Sequence, residues 1–221
     1  MTITFPRDMP AALADMLVSL PFRLEPVIEV TPLLSGARIA LDRGPSVWLA
    51  DMQTGPLPEE EMGIVRAFFD TLSSTGAFFC YDRLREYPLA YRKTGFAAFG
   101  GFDGTCILDA VAANKVELDL AGLPEDFVLS IGDYLAWDYG TTDAFRALHR
   151  IAAGATADGS GEATVEVRSV VRPGWESADS SGRVVTVYRA AARMLIVPRS
   201  YSEQIEANGF GRISAQAVQT L

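Results

Sequence analysis

The sequence predicts a mainly β protein with one well-defined α-helix. Short apolar segments recur along the chain, and several alternate with polar residues, which is typical of half-buried strands. Turn-forming residues separate these segments, since 19 glycines and 12 prolines are spread along 221 residues. One long segment, between residues 58 and 72, has clear helical periodicity instead. These features favour a small barrel or a sandwich with one packed helix.

The N-terminal part is predicted to hold a short helix and three short strands. Segment Pro10–Leu20 has apolar residues at helical spacing, and Pro21 ends it. Proline, glycine or aspartate punctuates the gaps around the strand-like segments that follow. These predicted strands are Val27–Val30, Arg38–Leu41 and Val47–Ala50.

The segment Pro58–Leu72 is the clearest helix. Three glutamates, Glu59 to Glu61, stand in its first turn, where the helix dipole favours negative charge. The segment Ala77–Tyr81, which follows Gly76, is predicted to be a strand. The predicted buried stripe of the helix consists of Met62, Val65, Phe69 and Leu72, with Phe68 beside it.

From Phe96 onward the sequence changes character, with a glycine-rich loop over Ala98–Gly104 and then regularly spaced short strands. Ala144–Gly154 fits either a strand or a short helix, and Ala157–Glu162 fits a hairpin turn. Strand-like alternation occurs at residues 116–120, 127–131 and 165–171, and Tyr134–Tyr139 is predicted to be an aromatic strand. Three closing strands are predicted at Val184–Tyr188, Met194–Val197 and Arg212–Val218. Polar connections are predicted at Arg83–Gly95, Arg172–Gly182 and Pro198–Gly211.

The composition limits the function classes. The chain has 19 lysines and arginines against 28 aspartates and glutamates, a formal charge of -9. This balance argues against a general nucleic-acid binder, which usually has a basic excess. No segment has the apolar length of a membrane span or the pattern of a signal peptide, so we expect a soluble protein made in a cytoplasm.

No residue pattern predicts nucleophilic or metal chemistry. His149 is the single histidine and no GxSxG motif accompanies it, so a structural role is expected. Cys80 and Cys106 are isolated, which excludes a zinc ribbon and favours two free, buried thiols. The loop Gly100–Gly104 lacks the lysine of a phosphate-binding loop, and Ala157–Gly161 lacks the further ligands of a calcium loop.

Two weaker alternatives remain open from the residues. A glycosidase-like carboxylate pair could come from the turn-associated aspartates Asp103, Asp109, Asp133 and Asp138, although nothing singles out a pair. The tryptophans could form a sugar-stacking face, although core packing is the more common use of such residues. These three tryptophans are Trp48, Trp137 and Trp175. The sequence thus predicts no catalytic residue, no cofactor-binding residue and no metal ligand.

Three segments resemble distal tail proteins, the tail-tip or baseplate ring proteins of long-tailed bacteriophages and gene transfer agents. The first is Trp48–Asp82, in which a helix entered through an acidic turn is followed by "GAFFCYD". The second joins Leu118–Trp137, with "LPEDFVLSIGDYL", to Ala155–Gly174. The third pairs Ala192–Ser200 with Gly211–Gln219, which look like closing strands.

The resemblance implies a discontinuous architecture. Residues 1–95 and 184–221 would form a tail-tube-like β-sandwich ring domain with one packed helix. Residues 96–183 would form an inserted small β-barrel resembling an oligonucleotide/oligosaccharide-binding (OB) fold. The sheet strands from about Val184 onward would return to the sandwich.

The resemblance also implies a structural role without enzyme activity or cofactor. The chain would form a ring, with six copies as in the family's tail tubes, between the tail tube protein and the hub proteins. DNA would pass through the lumen without specific binding, no membrane would be involved, and the protein would be part of the virion tail. The three predicted polar connections would supply ring contacts. The alternative is a carbohydrate-binding tail-tip module that uses Trp137, Tyr134 or Trp175, and a third possibility is a hydrolase that uses unpaired carboxylates.

Overall fold

The computed structural model describes residues 3–32, 36–72, 76–140, 145–174, 182–207 and 209–220. Helix α1 is Ala11–Met16 and α2 is Glu59–Leu72, and three 3-10 helices cover Arg83–Arg85, Leu89–Tyr91 and Ala97–Phe99. The strands of the first half are β1 Arg7–Asp8, β2 Leu17–Ser19, β3 Phe22–Pro32, β4 Arg38–Thr54, β5 Phe78–Tyr81, β6 Thr105–Val111, β7 Glu117–Ala121 and β8 Val128–Leu129. Those of the second half are β9 Tyr134–Tyr139, β10 Phe145–Ala153, β11 Ala155–Thr156, β12 Ala163–Arg168, β13 Arg183–Thr186, β14 Ala191–Ile196, β15 Ser202–Ile205 and β16 Gly211–Gln219.

The predicted fold class is confirmed: the protein is mainly β, with a helix-covered sheet and a small closed barrel. By its internal contacts the chain divides into two compact units, both discontinuous. Unit 1 comprises residues 1–10, 77–194 and 221, and unit 2 comprises residues 11–76 and 195–220. The domain organisation expected from the resemblance, with breaks at 95/96 and 183/184, remains a prediction, except that Val184–Thr186 belongs to the barrel, as described below.

Unit 2 is built on the long strand β4, which pairs antiparallel with β2, β3 and β16. Strand β16 alternates buried and exposed residues, so one face of the sheet contributes to the core. Two buried polar side chains are satisfied across the sheet, since the N–H of Trp48 donates to Gln219 and the N–H of Ile213 donates to Thr54. Helix α2 contacts β16.

The packed face of α2 differs from the predicted stripe. Phe68 is 3% exposed and lies in the core with Met62, Val65 and Leu72. Phe69 is only half-buried, and its ring contacts Tyr201 at a centroid distance of 5.4 Å. Both residues lie at the edge of a helical stripe, and the neighbouring polypeptide decides which of them turns inward. The assignment of Phe69 to the core was therefore wrong.

The N-terminal elements also differ from the prediction. The helix stops at Met16, and Leu17–Ser19 continues as β2, which pairs with the end of β4. The buried residues of α1 are Leu13 and Ala14. The three separate strands predicted between residues 27 and 50 are parts of only two long strands, because β3 and β4 pair continuously apart from bulges near Val27.

Unit 1 contains a closed barrel with the strand order β10–β12–β7–β6–β13–β9, which the pairing of β9 with β10 completes. Closure leaves none of these six strands as a free sheet edge. The ambiguous segment 144–154 is thus a strand within its described residues. Leu118, Phe127, Leu135 and Val165 are among the fully buried residues of its core.

Strand β13 corrects one prediction. Arg183–Thr186 pairs with β6 and β9 and closes the barrel, so residues from Val184 do not return at once to the sandwich as expected. Sequence alternation identifies a strand but does not identify its neighbours. Strand β14 is the first element that pairs with β5 after the barrel.

The segment that enters the barrel is anchored to it by aromatic and polar contacts. Tyr91 stacks on Phe127 at 4.7 Å, and its hydroxyl accepts the N–H of Val128 at 2.6 Å. Three phenylalanines of the following segment also contact the Phe127 ring: Phe96, Phe99 and Phe102. The predicted polar connection Arg83–Gly95 is therefore largely fixed against its own unit.

The predicted hairpin turn at residues 157–162 is present. The Asp158 carboxylate accepts the N–H groups of Ser160 and Glu162, and this holds the pKa of the carboxyl group below its usual value. Gly161 has a φ of 78°, and a Cβ there would lie 2.4 Å from the carbonyl oxygen of Leu123. The position therefore requires glycine.

Candidate assembly surfaces

His149 has a structural environment. Its ring stacks on Trp137 at a centroid distance of 4.7 Å, and its Nδ1–H donates to the carbonyl oxygen of Ser169 at 2.8 Å. The side chain is buried, and burial lowers its pKa to about 4. The imidazole is consequently neutral near pH 7, and its stacking and its backbone hydrogen bond are those of a packed core residue.

Two of the candidate aspartates, Asp133 and Asp138, have local structural partners. Asp133 is buried and accepts the N–H groups of Leu89 and Ser130, each at 2.8 Å, with Arg85 at 3.2 Å. Burial raises the pKa of Asp133, although these partners oppose the rise. This carboxylate therefore attaches the 83–95 segment to the barrel. Asp138 is ion-paired with Arg146.

Asp103 and Asp109 are both exposed. The Asp103 carboxylate accepts the backbone N–H and the hydroxyl of Thr105, and these hydrogen bonds lower its pKa. Asp109 belongs to strand β6. Each of these aspartates thus has the local environment of a turn or strand residue.

Both cysteines are free and buried, as predicted. Burial raises the pKa of each thiol, that of Cys106 to about 12, so neither is a thiolate at neutral pH.

No group of three potential ligands in the described ranges could hold a metal ion. Glu59, Glu60 and Glu61 lie in the first turn of α2, as expected. Nor is any helix in these ranges long and apolar enough to cross a membrane.

The proposed sugar-stacking residues are largely inaccessible. Trp137 and Tyr134 are buried, and Trp48 is buried against Phe22. The Tyr134 hydroxyl accepts a hydrogen bond from Arg150. Trp175 lies outside the described residues. A sugar ring cannot stack on the buried Trp137 or Tyr134, and a carbohydrate site that uses Trp175 stays a prediction.

A cleft of about 340 Å³ in unit 1 contains two arginines above aromatic rings. Arg146 lies 4.9 Å from the Phe79 ring centroid and binds both oxygens of Asp138. The Nε–H of Arg189 donates to Glu86 at 2.6 Å. Because each guanidinium already holds a carboxylate, the cleft is not a vacant anion site.

The most unusual surface is a two-stranded arm that extends from unit 2. We define the arm as residues 25–32 of β3 and 38–47 of β4. Strand β16 pairs with β4 only from Leu49 onward, and in the described ranges the arm's strands pair only with each other. Trp48, which is 1% exposed, marks the base of the arm.

Both faces of the arm carry exposed apolar side chains. Residues directly opposite in an antiparallel pair share a face, and the register places Val30 opposite Ala40 and Thr31 opposite Ile39. The first face therefore carries Ile28, Val30 and Ala40, and the second carries Ile39, Leu41 and Glu29. The exposed fractions are 51% for Ile28, Val30 and Leu41, and 53% for Ile39. The ion pair between Glu29 and Arg43 lies on the second face.

This arm is an unusual structure for an isolated chain. A two-stranded ribbon is marginally stable in water, and stable ribbons normally pack at least one face. Exposed apolar surface of this kind marks an interaction site or an aggregation hazard. We therefore regard the arm as a candidate contact surface.

A second surface in unit 2 is a mostly apolar groove of about 390 Å³. Its lining includes Phe69 and Tyr201, whose rings contact each other. The remaining lining residues are Asp70, Ile196, Val197, Pro198 and Arg199. The groove thus joins the C-terminal half of α2 to the loop that follows β14.

The wall of the groove is held in place by hydrogen bonds. The N–H and hydroxyl of Ser200 donate to the carbonyl oxygen of Val197 at 3.1 and 2.7 Å. The Ser200 hydroxyl also accepts the N–H of Gln216 at 3.0 Å. An ion pair between Arg66 and Glu203 joins α2 to β15 nearby. The groove is therefore formed before any partner arrives.

Sequence reasoning missed both surfaces, although it named a related loop. Pro198–Gly211 was a predicted contact segment, and its first residues line the groove, while Ser202–Ile205 forms the unpredicted strand β15. The connection Arg172–Gly182 lies mostly outside the described residues. The arm could have been recognised from apolar alternation on both sides of Gly36, which has a φ of 83°.

The geometry defines a mainly β protein that carries an exposed apolar arm and a preformed groove. No protein-family model matches the sequence, and no curated protein is significantly similar to it.

Proposed function

We propose that this chain is a structural subunit of a phage-type tail tip, forming a ring that joins the tail tube to the hub. The observation that carries this proposal is the arm, whose two apolar faces are not covered by any described part of its own chain. The sequence resemblance to distal tail proteins supplies the identity of the ring. No catalytic group is part of the proposal.

The energetics of the arm suit a subunit that completes its packing on assembly. Val27, Ile28, Val30, Ile39 and Leu41 are each 41–53% exposed. Burying the exposed part of these five side chains contributes about 4–7 kcal/mol, from about 1.5–3 kcal/mol for a fully buried side chain. Association costs about 4–15 kcal/mol in lost freedom of motion. The arm alone therefore supports weak association, which additional contacts in a tail would strengthen.

The charge of the chain is compatible with a conduit for DNA. The formal charge is -9, so a ring of such subunits repels phosphate groups. DNA would then pass through the lumen without binding to the wall. The proposed partners are further copies of the chain, the tail tube protein and hub proteins.

The first experiment compares the purified protein with a variant that carries Val30→Asp and Ile39→Asp. These changes put one charge on each face of the arm without touching a buried residue. Light scattering and negative-stain microscopy, with concentration raised to several hundred micromolar, should show rings for the parent protein and monomers for the variant. Val184→Asp is the matched control, because Val184 is an exposed apolar residue, 59% accessible, on a barrel strand.

The second experiment locates the chain in particles. Antibody labelling of tailed particles from cells that encode the chain should mark the far end of the tail, in several copies around its axis. Labelling of the capsid would contradict the proposal. So would a parent protein that stays monomeric at every concentration and is absent from the tails.

A further inference from the structure

We infer that the first face of the arm of one copy docks into the groove of a second copy, where Arg38 meets Asp70. The inference rests on the proposed ring function and specifies its contact. It joins two exposed apolar surfaces of unit 2, the arm face with Ile28, Val30 and Ala40 and the groove with Phe69 and Tyr201. The occupant is thus a second copy of this chain.

The arm is better suited to contact through its face than through its edge. An edge-to-edge contact needs a continuous row of N–H and carbonyl groups. Pro26 and Pro32 remove two N–H donors from β3, and the register with β4 shifts on both sides of Val27. These interruptions disfavour addition of another strand along β3. The apolar side chains remain available for docking.

Arg38 on the first face of the arm and Asp70 on the groove have opposite charges. Arg38 pairs with Pro32 in the register and alternates with Ala40, so it belongs to the first face. In the described part of the chain, Arg38 has no ion-pair partner, and neither does Asp70 on the groove. Glu29 and Arg43 already pair on the opposite face. Arg199 also lines the groove, so we expect Arg38 to lie on the Asp70 side.

The contact also has the symmetry that a ring requires. The arm and the groove are different surfaces, so each copy donates one arm and receives another. Such a heterologous contact repeats around an axis and closes when the rotation permits. A contact between two arms would instead be isologous and would stop at a dimer. The second face of the arm remains free for another neighbour.

Cysteine linking between two separately prepared variants tests the contact. One preparation carries Val30→Cys on the first face, and the other carries Pro198→Cys on the groove. After mixing and mild oxidation, we expect a disulfide-linked dimer that neither preparation forms alone. Thr31→Cys lies one residue away on the opposite face, and mixed with Pro198→Cys it should give several-fold less product. Native Cys80 and Cys106 are buried and should not interfere.

Charge exchange provides a second readout. Arg38→Asp and Asp70→Arg should each weaken self-association about five- to tenfold, because each places like charges together. The double variant should recover most of the loss. Both residues are exposed, so the fold should survive these changes.

The outcomes separate the contact from the ring itself. Rings that form without the Val30–Pro198 link and without recovery in the double variant overturn the docking inference but not the ring proposal. Dimers of the Val30→Cys preparation alone show an arm-to-arm contact and also overturn the inference. A protein that neither assembles nor links at any concentration overturns both.

Discussion

Replacement of His149 should reveal how strongly the barrel depends on a neutral imidazole. The ring lies between Trp137 and the carbonyl oxygen of Ser169, with its Nδ1–H as the donor. His149→Asn keeps an amide N–H near the position of Nδ1 but loses the ring. His149→Phe keeps a ring against Trp137 but leaves the Ser169 carbonyl without this donor. Neither replacement titrates between pH 4 and 7.

The expected magnitude follows from the pKa of His149. Burial lowers it from 6.5 to about 4 in the folded state. The unfolded chain therefore binds more protons than the folded chain between these pH values, so stability falls as the pH falls from 6.5 to 4. A shift of this size corresponds to about 3 kcal/mol at about 1.4 kcal/mol per pKa unit. Below pH 4 both states are protonated and the loss is complete.

The assay is urea unfolding of the parent and both variants at a series of pH values. Other groups titrate in the same range, and burial raises the pKa of Asp82 and Asp133, which acts in the opposite direction. The difference between parent and variant removes these shared contributions. This difference should shrink by about 3 kcal/mol from pH 7 to pH 4. A difference that stays constant over this range would refute the reasoning.

Three further predictions concern packing and the barrel boundary. Phe68→Ala should lower the free energy of unfolding by about 3–5 kcal/mol, because the ring is buried. Phe69→Ala should lower it by only about 1–2 kcal/mol, because that ring is half-buried. If urea unfolding showed a larger loss for Phe69→Ala than for Phe68→Ala, the packing described for α2 would be contradicted. Asp133→Asn should cost about 1–3 kcal/mol and speed tryptic cleavage within residues 83–95, because it weakens three hydrogen bonds; unchanged cleavage would show that another contact holds the segment. A fragment of residues 96–183 should lack cooperative unfolding by circular dichroism, whereas 83–190 should fold because it includes β13; equal folding of both would show that β13 is dispensable.

The sequence predicts those barrel strands that alternate between buried and more exposed residues, whereas it misses β6 and leaves β10 undecided. Residues Ala163–Arg168, for example, alternate buried and less buried positions along the whole strand. Periodicity of two is a local property, and it survives without knowledge of the partner strand. Helix α2 is also predicted from a local pattern, namely apolar residues at helical spacing and an acidic first turn.

What the sequence could not predict depends on contacts between distant residues. Strand β13 has ordinary alternation, and only pairing with β6 and β9 makes it a barrel strand. The choice between Phe68 and Phe69 as the core residue depends on packing that forms only on folding. The Phe69 ring, for example, contacts Tyr201, more than 130 residues away along the chain. The arm is missed because both of its faces are apolar, whereas the usual pattern assumes one buried face.

Of the candidate surfaces, the sequence named only one loop that lines the groove. The structural roles of His149, Cys80 and Cys106 follow from the sequence because no partner residues accompany them. The groove could not be predicted from the sequence, because α2 and the 196–201 segment come together only after folding. The residue type does not distinguish a half-buried phenylalanine from a buried one, so the exposed fraction of Phe69 is known only from the structure.

The pairing of β16 with β4 has a consequence for synthesis of the chain. Gln216 and Asp51, which hydrogen-bond across these strands, are separated by 165 residues. A nascent chain exposes the arm early, but its sheet lacks β16 until almost all of the described sequence has left the ribosome. Domains whose contacts span such separations fold late. A chain that ends before Ile196 would therefore carry an arm without the groove residues of the 196–201 segment. Under the docking contact proposed above, such a chain could donate its arm but could not receive one.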